Sequence, residues 1–181
     1  MNKNIFTKEK LLPFILTALI LIVDQVTKAL VVKYIPVTHA ISDNLINIIH
    51  VKNPGIAFSM GDSFPVFIRK LLFILVPIVV IGLVIAVYFR NNDFTKLQRW
   101  SICGIVGGGL GNIIDRIFRP DGVIDFIDVK FFGIFGLNRW PTFNIADASV
   151  VVCGILMIIS FCITFSADSK KNKSEKGEKN E

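Results

Sequence analysis

The feature that most constrains the fold is a long apolar run between two basic residues. Residues 71–89, LLFILVPIVVIGLVIAVYF, carry no charged side chain and are flanked by Lys70 and Arg90. At about 1.5 Å per residue, a helix of this length nearly matches a hydrocarbon core about 30 Å thick. The whole chain is 52% hydrophobic and 19% charged, which is more apolar surface than a soluble domain of 181 residues buries. The sequence therefore predicts an integral membrane protein.

Four such segments predict a bundle of four transmembrane helices. They are residues 11–32, 71–89, 100–118 and 145–165. The first segment is predicted to be retained rather than cleaved as a signal peptide, because it lacks a small-residue cleavage site and polar DQVTK follows its apolar core. We expect residues 1–165 to form a single all-α, membrane-embedded domain.

The distribution of basic residues predicts the orientation. Residues 1–10, 90–99 and 166–181 hold eleven Lys and Arg in 36 positions, whereas residues 33–70 and 115–146 hold eight in 70. This bias places both termini in the cytoplasm. Five lysines of the C-terminal tail contribute much of the net charge of +6, so a basic tail near an anionic leaflet explains the charge without a nucleic-acid partner.

The loops differ in character. Residues 35–66 have β-branched residues in rough alternation and an Asn-Pro-Gly turn signal, which predicts a small β-rich cap on the extracytoplasmic side. Residues 128–142 are glycine-punctuated and aromatic, and we expect an interfacial lid with Trp140 at headgroup level. The tail, residues 166–181, is poor in apolar residues and is expected to be disordered.

No metal or other cofactor is expected from the sequence. His39 and His50 have no ligand spacing. The three cysteines lie within apolar segments without a Cys-x-x-Cys pattern, which favours small core residues over metal ligands or disulfides.

Polar side chains collect at one depth of the predicted bundle. Measured along the helices from the inner face, Asn112 lies at about 18 Å, Asp24 at about 20 Å, Asp115 and Arg116 at about 22–24 Å, and Asp147 at about 27 Å. Charges in a membrane segment are costly, so this convergence predicts a site that opens toward the outer leaflet. Each group also has a simpler interpretation. Asp24 forms an i,i+4 pair with a lysine, Asp115 and Arg116 lie where rim charges extend to headgroups, and the site asparagines are residues common in turns and caps.

Two acids suggest a chemistry for such a site. Asp125 follows Arg116 by nine residues, enough for the chain to turn back over the bundle, and Asp128 is an alternative to it. Two neighbouring carboxylates cannot both ionise, so they share a proton near neutral pH. One then acts as general base on water while the other polarises a carbonyl. The Asp-Thr/Ser-Gly signature of soluble aspartic proteases is absent, so the residues alone leave other functions open.

Three other functions remain open at this point. A Ser/Lys membrane peptidase would use Ser149 or Ser59 with Lys28. A proton-coupled transporter would also place acids within its spans, although four spans without an internal repeat are unusual for one. A non-catalytic assembly protein would not need its acids for chemistry.

Five ordered motifs carry a resemblance to a known family. They are DQVTK (24–28), KNPGIAFSM (52–60), GNIIDR (111–116), VIDFID (123–128) and FNIADAS (143–149). Together they resemble prolipoprotein signal peptidase, or signal peptidase II, over residues 11–165. The resemblance implies a bacterial aspartic endopeptidase of the cytoplasmic membrane, without a cofactor, whose site faces the extracytoplasmic side. It would cut lipoprotein precursors just before a cysteine that carries diacylglyceryl.

The resemblance also implies roles for individual residues and partners. Asp125 and Asp147 match the catalytic pair. Four polar residues match those that hold substrate or globomycin-type peptide inhibitors: Asn53, Asn112, Arg116 and Asn144. Four others are expected to shape the site: Asp24, Lys28, Gly55 and Asp115. The implied partners are a lipidated prolipoprotein and membrane lipids, and the protein is expected to be a monomer. One departure is Gly122, which stands one place nearer the acid than is usual, so we expect a differently built turn before Asp125.

Overall fold

The computed structural model describes residues 6–37, 43–55 and 64–178. His39, Ser59 and much of the predicted cap lie outside these residues. Six α-helices and two strands are formed within them, in the order α1 (Lys8–Leu11), α2 (Phe14–Tyr34), β1 (Ile46–Asn53), α3 (Val66–Lys70), α4 (Val76–Arg90), α5 (Lys96–Phe118), β2 (Val123–Val129) and α6 (Ile145–Glu178). A π-helical turn, Leu71–Leu75, joins α3 to α4, and a 3₁₀ turn, Ile134–Gly136, lies between β2 and α6.

Within the described residues, three helical segments are long and apolar enough to cross a membrane. They are Lys8–Tyr34, Phe67–Arg90 and Ile145–Ala167, with 27, 24 and 23 residues. The fourth predicted span lies in α5, which has 23 residues but is less apolar, since it carries charged and amide side chains along its length. The prediction of a mainly helical membrane protein is confirmed, and the helices agree with the predicted spans to within a few residues at most ends.

Helix α5 is the centre of the bundle, and its glycines explain how closely α2 and α6 approach it. A Cβ added at Gly107 would lie 3.1 Å from the backbone of Thr17 in α2. A Cβ at Gly108 would collide with Ala146 and Ser149 of α6. A Cβ at Gly111 would lie 2.7 Å from a carboxylate oxygen of Asp24. The small-residue spacing on α5 therefore serves close helix packing, as it does in many membrane proteins.

The two strands form one antiparallel pair over the end of the bundle. Ile48 is opposite Ile127 and Val51 is opposite Asp125, so two residues of β1 face one residue of β2 and make a bulge. A strand within the cap was predicted, whereas the β2 strand was not. Gly122, in the turn that leads into β2, has φ of +101° and lies against the backbone of Asn53, where a side chain would not fit.

The loop after β2 is tied to the sheet at its base and exposed at its tip. Isolated bridges pair Ile127 with Phe143 and Lys130 with Arg139. At the tip, Phe132 and Phe135 have φ of 55° and 53°, a region that side chains rarely adopt, and Phe135 is 89% exposed. Exposed aromatic residues at this position are typical of a loop that contacts the membrane interface.

The tail differs from the prediction of disorder. Helix α6 continues from Ile145 to Glu178, well past the last apolar residue of its span. The tail is rich in Lys and Glu, which are good helix formers, and extending an existing helix needs no new nucleus. The low content of apolar residues predicts only that this segment does not pack into a hydrophobic core.

Candidate active site

A buried ion cluster holds α2 and α5 together beneath the sheet. Asp24, Lys28 and Asp115 have side chains with 0% exposure. The Lys28 ammonium lies 2.8 Å from Asp24 Oδ2 and 3.0 Å from Asp115 Oδ2, and its third donor reaches Asn112 Oδ1 at 3.1 Å. Each of the three ammonium protons of Lys28 therefore has an acceptor, as a buried ammonium requires.

The same two acids fix the backbone on either side of the candidate catalytic pair. Asp24 Oδ1 accepts the amide N–H of Ala146 at 3.0 Å, and Asp115 Oδ2 accepts the amide N–H of Ile124 at 3.2 Å. Ala146 directly precedes Asp147, and Ile124 directly precedes Asp125. The ion cluster therefore sets where each of these two acids leaves its backbone.

Gln25 belongs to the ion cluster and was missed by the sequence analysis. Its side-chain amide lies 3.1 Å from both Asp24 Oδ2 and Asp115 Oδ1, and 3.2 Å from the carbonyl of Gly111. The residue stands inside the quoted DQVTK motif, but a single glutamine between an aspartate and a valine offers no pattern that marks it. Arg119, also missed, donates to Asp115 Oδ1 at 3.1 Å from one turn further along α5.

Asn144 connects the two acids of the candidate pair. Its Nδ2 donates to Asp125 Oδ1 at 2.8 Å. Its backbone N–H donates to Asp147 Oδ2 at 3.1 Å, and its Oδ1 accepts the backbone N–H of Asp147 at 2.9 Å. This reciprocal pair is a capping box at the start of α6. One fully buried asparagine thereby holds both carboxylates at one place.

Asn112 orients Asp147 from α5. Its Oδ1 accepts from Lys28, and because an ammonium only donates, the orientation of the amide is fixed. Its Nδ2 therefore points at Asp147 Oδ1, at 2.7 Å. Asn112 Oδ1 also accepts from Asn144 Nδ2 at 3.0 Å, which joins the ion cluster to the candidate pair.

Asn53 holds Asp125 from the neighbouring strand. Asn53 is opposite Val123 in the sheet, so Asp125, two residues further along β2, projects on the same face. Asn53 Nδ2 donates to Asp125 Oδ2 at 2.9 Å, and its Oδ1 accepts the backbone N–H of Gly55 at 3.0 Å.

The surroundings of Asp125 favour its protonated form. Asp125 is only 3% exposed, and its hydrogen-bond partners are neutral amides. Burial raises the pKa of Asp125 from its ordinary value of 3.8 to about 7, with a further rise from the nearby Asp147 carboxylate, against the opposing hydrogen bonds from Asn53 and Asn144. Asp147 is half-buried, so of the two acids it has the better access to water.

Arg116 lies beside both acids. Its Nη2 donates to the carbonyl of Gly55 at 2.9 Å, its guanidinium is 5.8 Å from the Phe73 ring, and it interacts electrostatically with Asp125 and Asp147. Its buried Nε has no hydrogen-bond partner among the residues that the structure describes. This places a positive charge next to the candidate pair without a direct ion pair to either acid.

Asp128, the alternative to Asp125, has other partners. Its Oδ2 accepts from Arg139 Nε at 2.6 Å and from Asn47 Nδ2 at 3.0 Å. Burial raises the pKa of Asp128, but the hydrogen bonds from Arg139 and Asn47 outweigh it and leave the pKa below its usual value. An acid held ionised by an arginine is a structural anchor for the lid rather than half of a proton-sharing pair.

The Ser/Lys alternative does not fit the described residues. Ser149 Oγ donates to the carbonyl of Ala146 at 2.7 Å, one turn earlier on the same helix. Lys28 contacts Asp24, Asp115 and Asn112 with its three ammonium protons, so it is not available as a base for a serine. Ser59, the other candidate, lies outside the described residues.

Comparisons with known proteins place the chain in a family. The family described as "Signal peptidase (SPase) II" matches residues 16–163. Among similar proteins, the lipoprotein signal peptidase of Treponema denticola is 51% identical over 150 residues, covering 82% of this chain and 87% of that protein. The lipoprotein signal peptidase of Treponema pallidum is 48% identical over 157 residues, covering 85% and 84%.

A similar fold is found among solved structures. One described as a bacterial membrane enzyme superposes with a TM-score of 0.72 at 25% identity and covers 86% of this chain and 90% of its own. Residues 16–163, which the family model matches, include the ion cluster, both strands and the acids that Asn144 connects. The chain is therefore a bacterial membrane protease that belongs to the signal peptidase II family.

Proposed function

We propose that this protein removes signal peptides from diacylglyceryl-modified prolipoproteins, cutting just before the lipidated cysteine with Asp125 and Asp147 as the catalytic pair. The observation that carries the proposal is the position of Asn144, which hydrogen-bonds to both carboxylates at 2.8 and 3.1 Å. Two acids from β2 and α6 are held at one point, at the membrane level where a lipid-anchored cysteine would lie.

The environments of the two acids assign their roles. Asp147 accepts two N–H groups, from Asn112 and Asn144, and is the more open to water, so it is the ionised general base. Asp125 is buried among amides, and with its pKa raised to about 7 a large fraction of it is protonated at neutral pH, so it donates a hydrogen bond to the scissile carbonyl.

Hydrolysis then proceeds without a covalent intermediate. Asp147 takes a proton from water as the oxygen attacks the carbonyl carbon, and the carbonyl oxygen takes the proton of Asp125, which gives a neutral tetrahedral diol. The diol returns a hydroxyl proton to Asp125 as the C–N bond breaks, and Asp147 gives its proton to the leaving amine. Arg116 stabilises negative charge that develops on the oxygens, and Asn53, Asn112 and Asn144 position the peptide.

The proposed topology has four spans, with both termini in the cytoplasm. Helix α5 has the length of a span, and several of its polar residues are buried, among them Gln98, Ser101 and Asp115, which suits a central helix. The sheet, Gly55 and the lid then lie on the extracytoplasmic side above the acids. We also propose that the enzyme is a monomer whose site globomycin-type peptides occupy, since one chain supplies both acids and all three asparagines.

Processing of a lipidated precursor tests this function. Purified protein in detergent is given the same precursor with and without diacylglyceryl on its cysteine, and the new N-terminus is read by mass spectrometry. The expected result is cleavage directly before the lipidated cysteine. The unlipidated precursor should be cleaved at least about tenfold more slowly, because it lacks the binding energy that burial of the diacylglyceryl chains provides. Equal rates would contradict the assigned substrate, and cleavage elsewhere would contradict the assigned reaction.

A further inference from the structure

A cavity of about 580 Å³ opens at the opposite end of the bundle from the candidate pair. It lies between the start of α2 and the start of α5, and we call it the inner-end cavity. Its wall on α5 includes Arg99, which precedes Asn112 by thirteen residues, or about 20 Å along the helix. The cavity is therefore separate from the peptidase site and has no part in the proposed function.

The rim of the inner-end cavity is basic. Of its described lining residues, Lys8, Lys96 and Arg99 are basic and Glu9 is acidic. The rim also receives the positive end of the α5 dipole, because α5 begins at Lys96 behind the Thr95 cap. A helix N-terminus alone is a weak anion site, but here three cationic side chains surround it.

Arg99 forms part of the cavity wall and brings a buried positive charge to it. The residue is 6% exposed, and its Nη2 donates to the carbonyls of Asn91 and Asn92 at 3.4 and 3.2 Å. Its Nη1 is buried and has no hydrogen-bond partner within the described parts of the chain. Its Cζ lies 5.6 Å from the Tyr88 ring centroid, which holds the guanidinium in place. Because Nη1 is shielded from solvent, Arg99 attracts a phosphate at the rim through its buried positive charge rather than through a direct hydrogen bond.

The rest of the cavity is apolar and faces the membrane. Leu11, Leu12 and Ile15 line it from the first span and are each about half exposed, and Trp100 lines it from α5. A free anion would gain nothing from these walls, whereas an acyl chain would cover them. The combination of a basic rim with apolar walls at a helix-bundle end fits an amphiphile.

We propose that the inner-end cavity binds an anionic glycerophospholipid, with its phosphate at Lys8, Lys96 and Arg99 and the start of its acyl chains along Leu12, Ile15 and Trp100. The basic residues favour an anionic headgroup over a zwitterionic one. The apolar walls distinguish the lipid from inorganic phosphate, and the phosphate contacts distinguish it from diacylglycerol.

Native mass spectrometry of the full-length protein in a neutral detergent tests the proposal. Phosphatidylglycerol, phosphatidylcholine and diacylglycerol with identical acyl chains are titrated separately, and inorganic phosphate is added as a competitor. Surface lysines are changed rather than Arg99, because Arg99 also holds the 91–92 turn. The variants are Lys8→Gln with Lys96→Gln, and Glu9→Gln. The matched control is Arg90→Gln, which removes one exposed charge at the same membrane level but outside the cavity.

The expected result is one phosphatidylglycerol site with about tenfold preference over phosphatidylcholine. The double lysine variant should bind phosphatidylglycerol at least about tenfold more weakly, since each nearby cation is worth about a fivefold change in affinity. Glu9→Gln should bind it more tightly, and Arg90→Gln should stay within about twofold of the parent protein.

Each contrary outcome overturns the proposal. Equal binding of the two phospholipids removes the role of charge, and equal binding of diacylglycerol removes the phosphate. Displacement by inorganic phosphate at equal concentration would make this a simple anion site. A loss in Arg90→Gln as large as in the lysine variant would mean that surface charge alone attracts the lipid.

Discussion

Two groups of acids in this protein lie close together in the fold and have opposite surroundings. The side chains of Asp24 and Asp115 are fully buried, with 0% exposure, and both form ion pairs with Lys28. Asp125 and Asp147 have neutral amides as their hydrogen-bond partners, and Asp147 keeps some access to water. Acids paired with a buried cation fix geometry, whereas burial among amides raises the pKa of Asp125 to about 7.

The two groups are also mechanically joined. Each acid of the ion cluster accepts the backbone N–H of the residue just before one acid of the candidate pair, at Ala146 and at Ile124. Lys28 reaches Asp147 through Asn112. The costly buried charges therefore act as a rigid base that positions the acids of the candidate pair.

The largest expected effect is on the cleavage rate and comes from the two acids of the candidate pair. Asp125→Asn and Asp147→Asn should each lower the cleavage rate by about 10³-fold or more, because each removes a proton-transfer group. The matched control is Asp128→Asn on the same strand, which should lower the rate by less than about tenfold. Single-turnover cleavage of a lipidated precursor measures all three, and retained activity in either of the first two variants would remove the distinction between the groups.

A smaller effect, on stability, is expected from the ion cluster. Lys28→Met leaves the buried Asp24 without a cation and Asp115 with Arg119 alone, and should lower the free energy of unfolding by about 3–5 kcal/mol. Lys33→Met, on the exposed end of the same helix, is the control and should change it by less than about 1 kcal/mol. Denaturant unfolding in detergent measures both, and similar values for the two variants would show that the cluster is not an anchor.

A third prediction concerns how closely α5 approaches the ion cluster. Gly111→Ala adds a methyl group 2.7 Å from Asp24 Oδ2 and should cost about 1–3 kcal/mol of stability. Gly154→Ala, in α6, adds the same group where no heavy atom lies within 4 Å, so it should be neutral or slightly stabilising. The same unfolding measurement compares them, and an unaffected Gly111→Ala would mean that the helices separate easily at this level.

The smallest effect is expected at Ser149. Its hydroxyl bonds to a carbonyl of its own helix, so Ser149→Ala should change the cleavage rate by less than about threefold. Complete loss of cleavage, with the protein still folded by circular dichroism, would return the Ser/Lys mechanism to consideration. Rescue by Ser149→Thr, which keeps a hydroxyl, would strengthen that conclusion.

Much of this arrangement was accessible from the sequence, and the reasons are particular. Long apolar runs gave the helices, and intramembrane charges are so costly that Asp24, Lys28 and Asp115 marked a buried site by their presence. Asn144 and Asp147 stand three apart, as residues of a capping box do, so their pairing was also readable.

Other parts depend on tertiary contacts that no local pattern reveals. The β2 strand is short, with two acids among its seven residues, and it forms because β1 lies beside it. The choice of Asp125 over Asp128 depends on Arg139, eleven residues beyond Asp128 in the chain, because Arg139 donates a hydrogen bond to Asp128 and not to Asp125. The role of Gln25 depends on the approach of α2 and α5, and the helical tail depends on propagation from α6 rather than on any core.

The proton on Asp125 is the most direct test of the account. Infrared difference spectroscopy of the purified enzyme from pH 5 to pH 9 follows the C=O band of a protonated carboxyl group. We expect a band that disappears with a midpoint near pH 7 and is absent from Asp125→Asn. The cleavage rate should fall over the same pH range, because the general acid loses its proton. A spectrum without a protonated carboxyl above pH 5, or one that Asp125→Asn leaves unchanged, would contradict it.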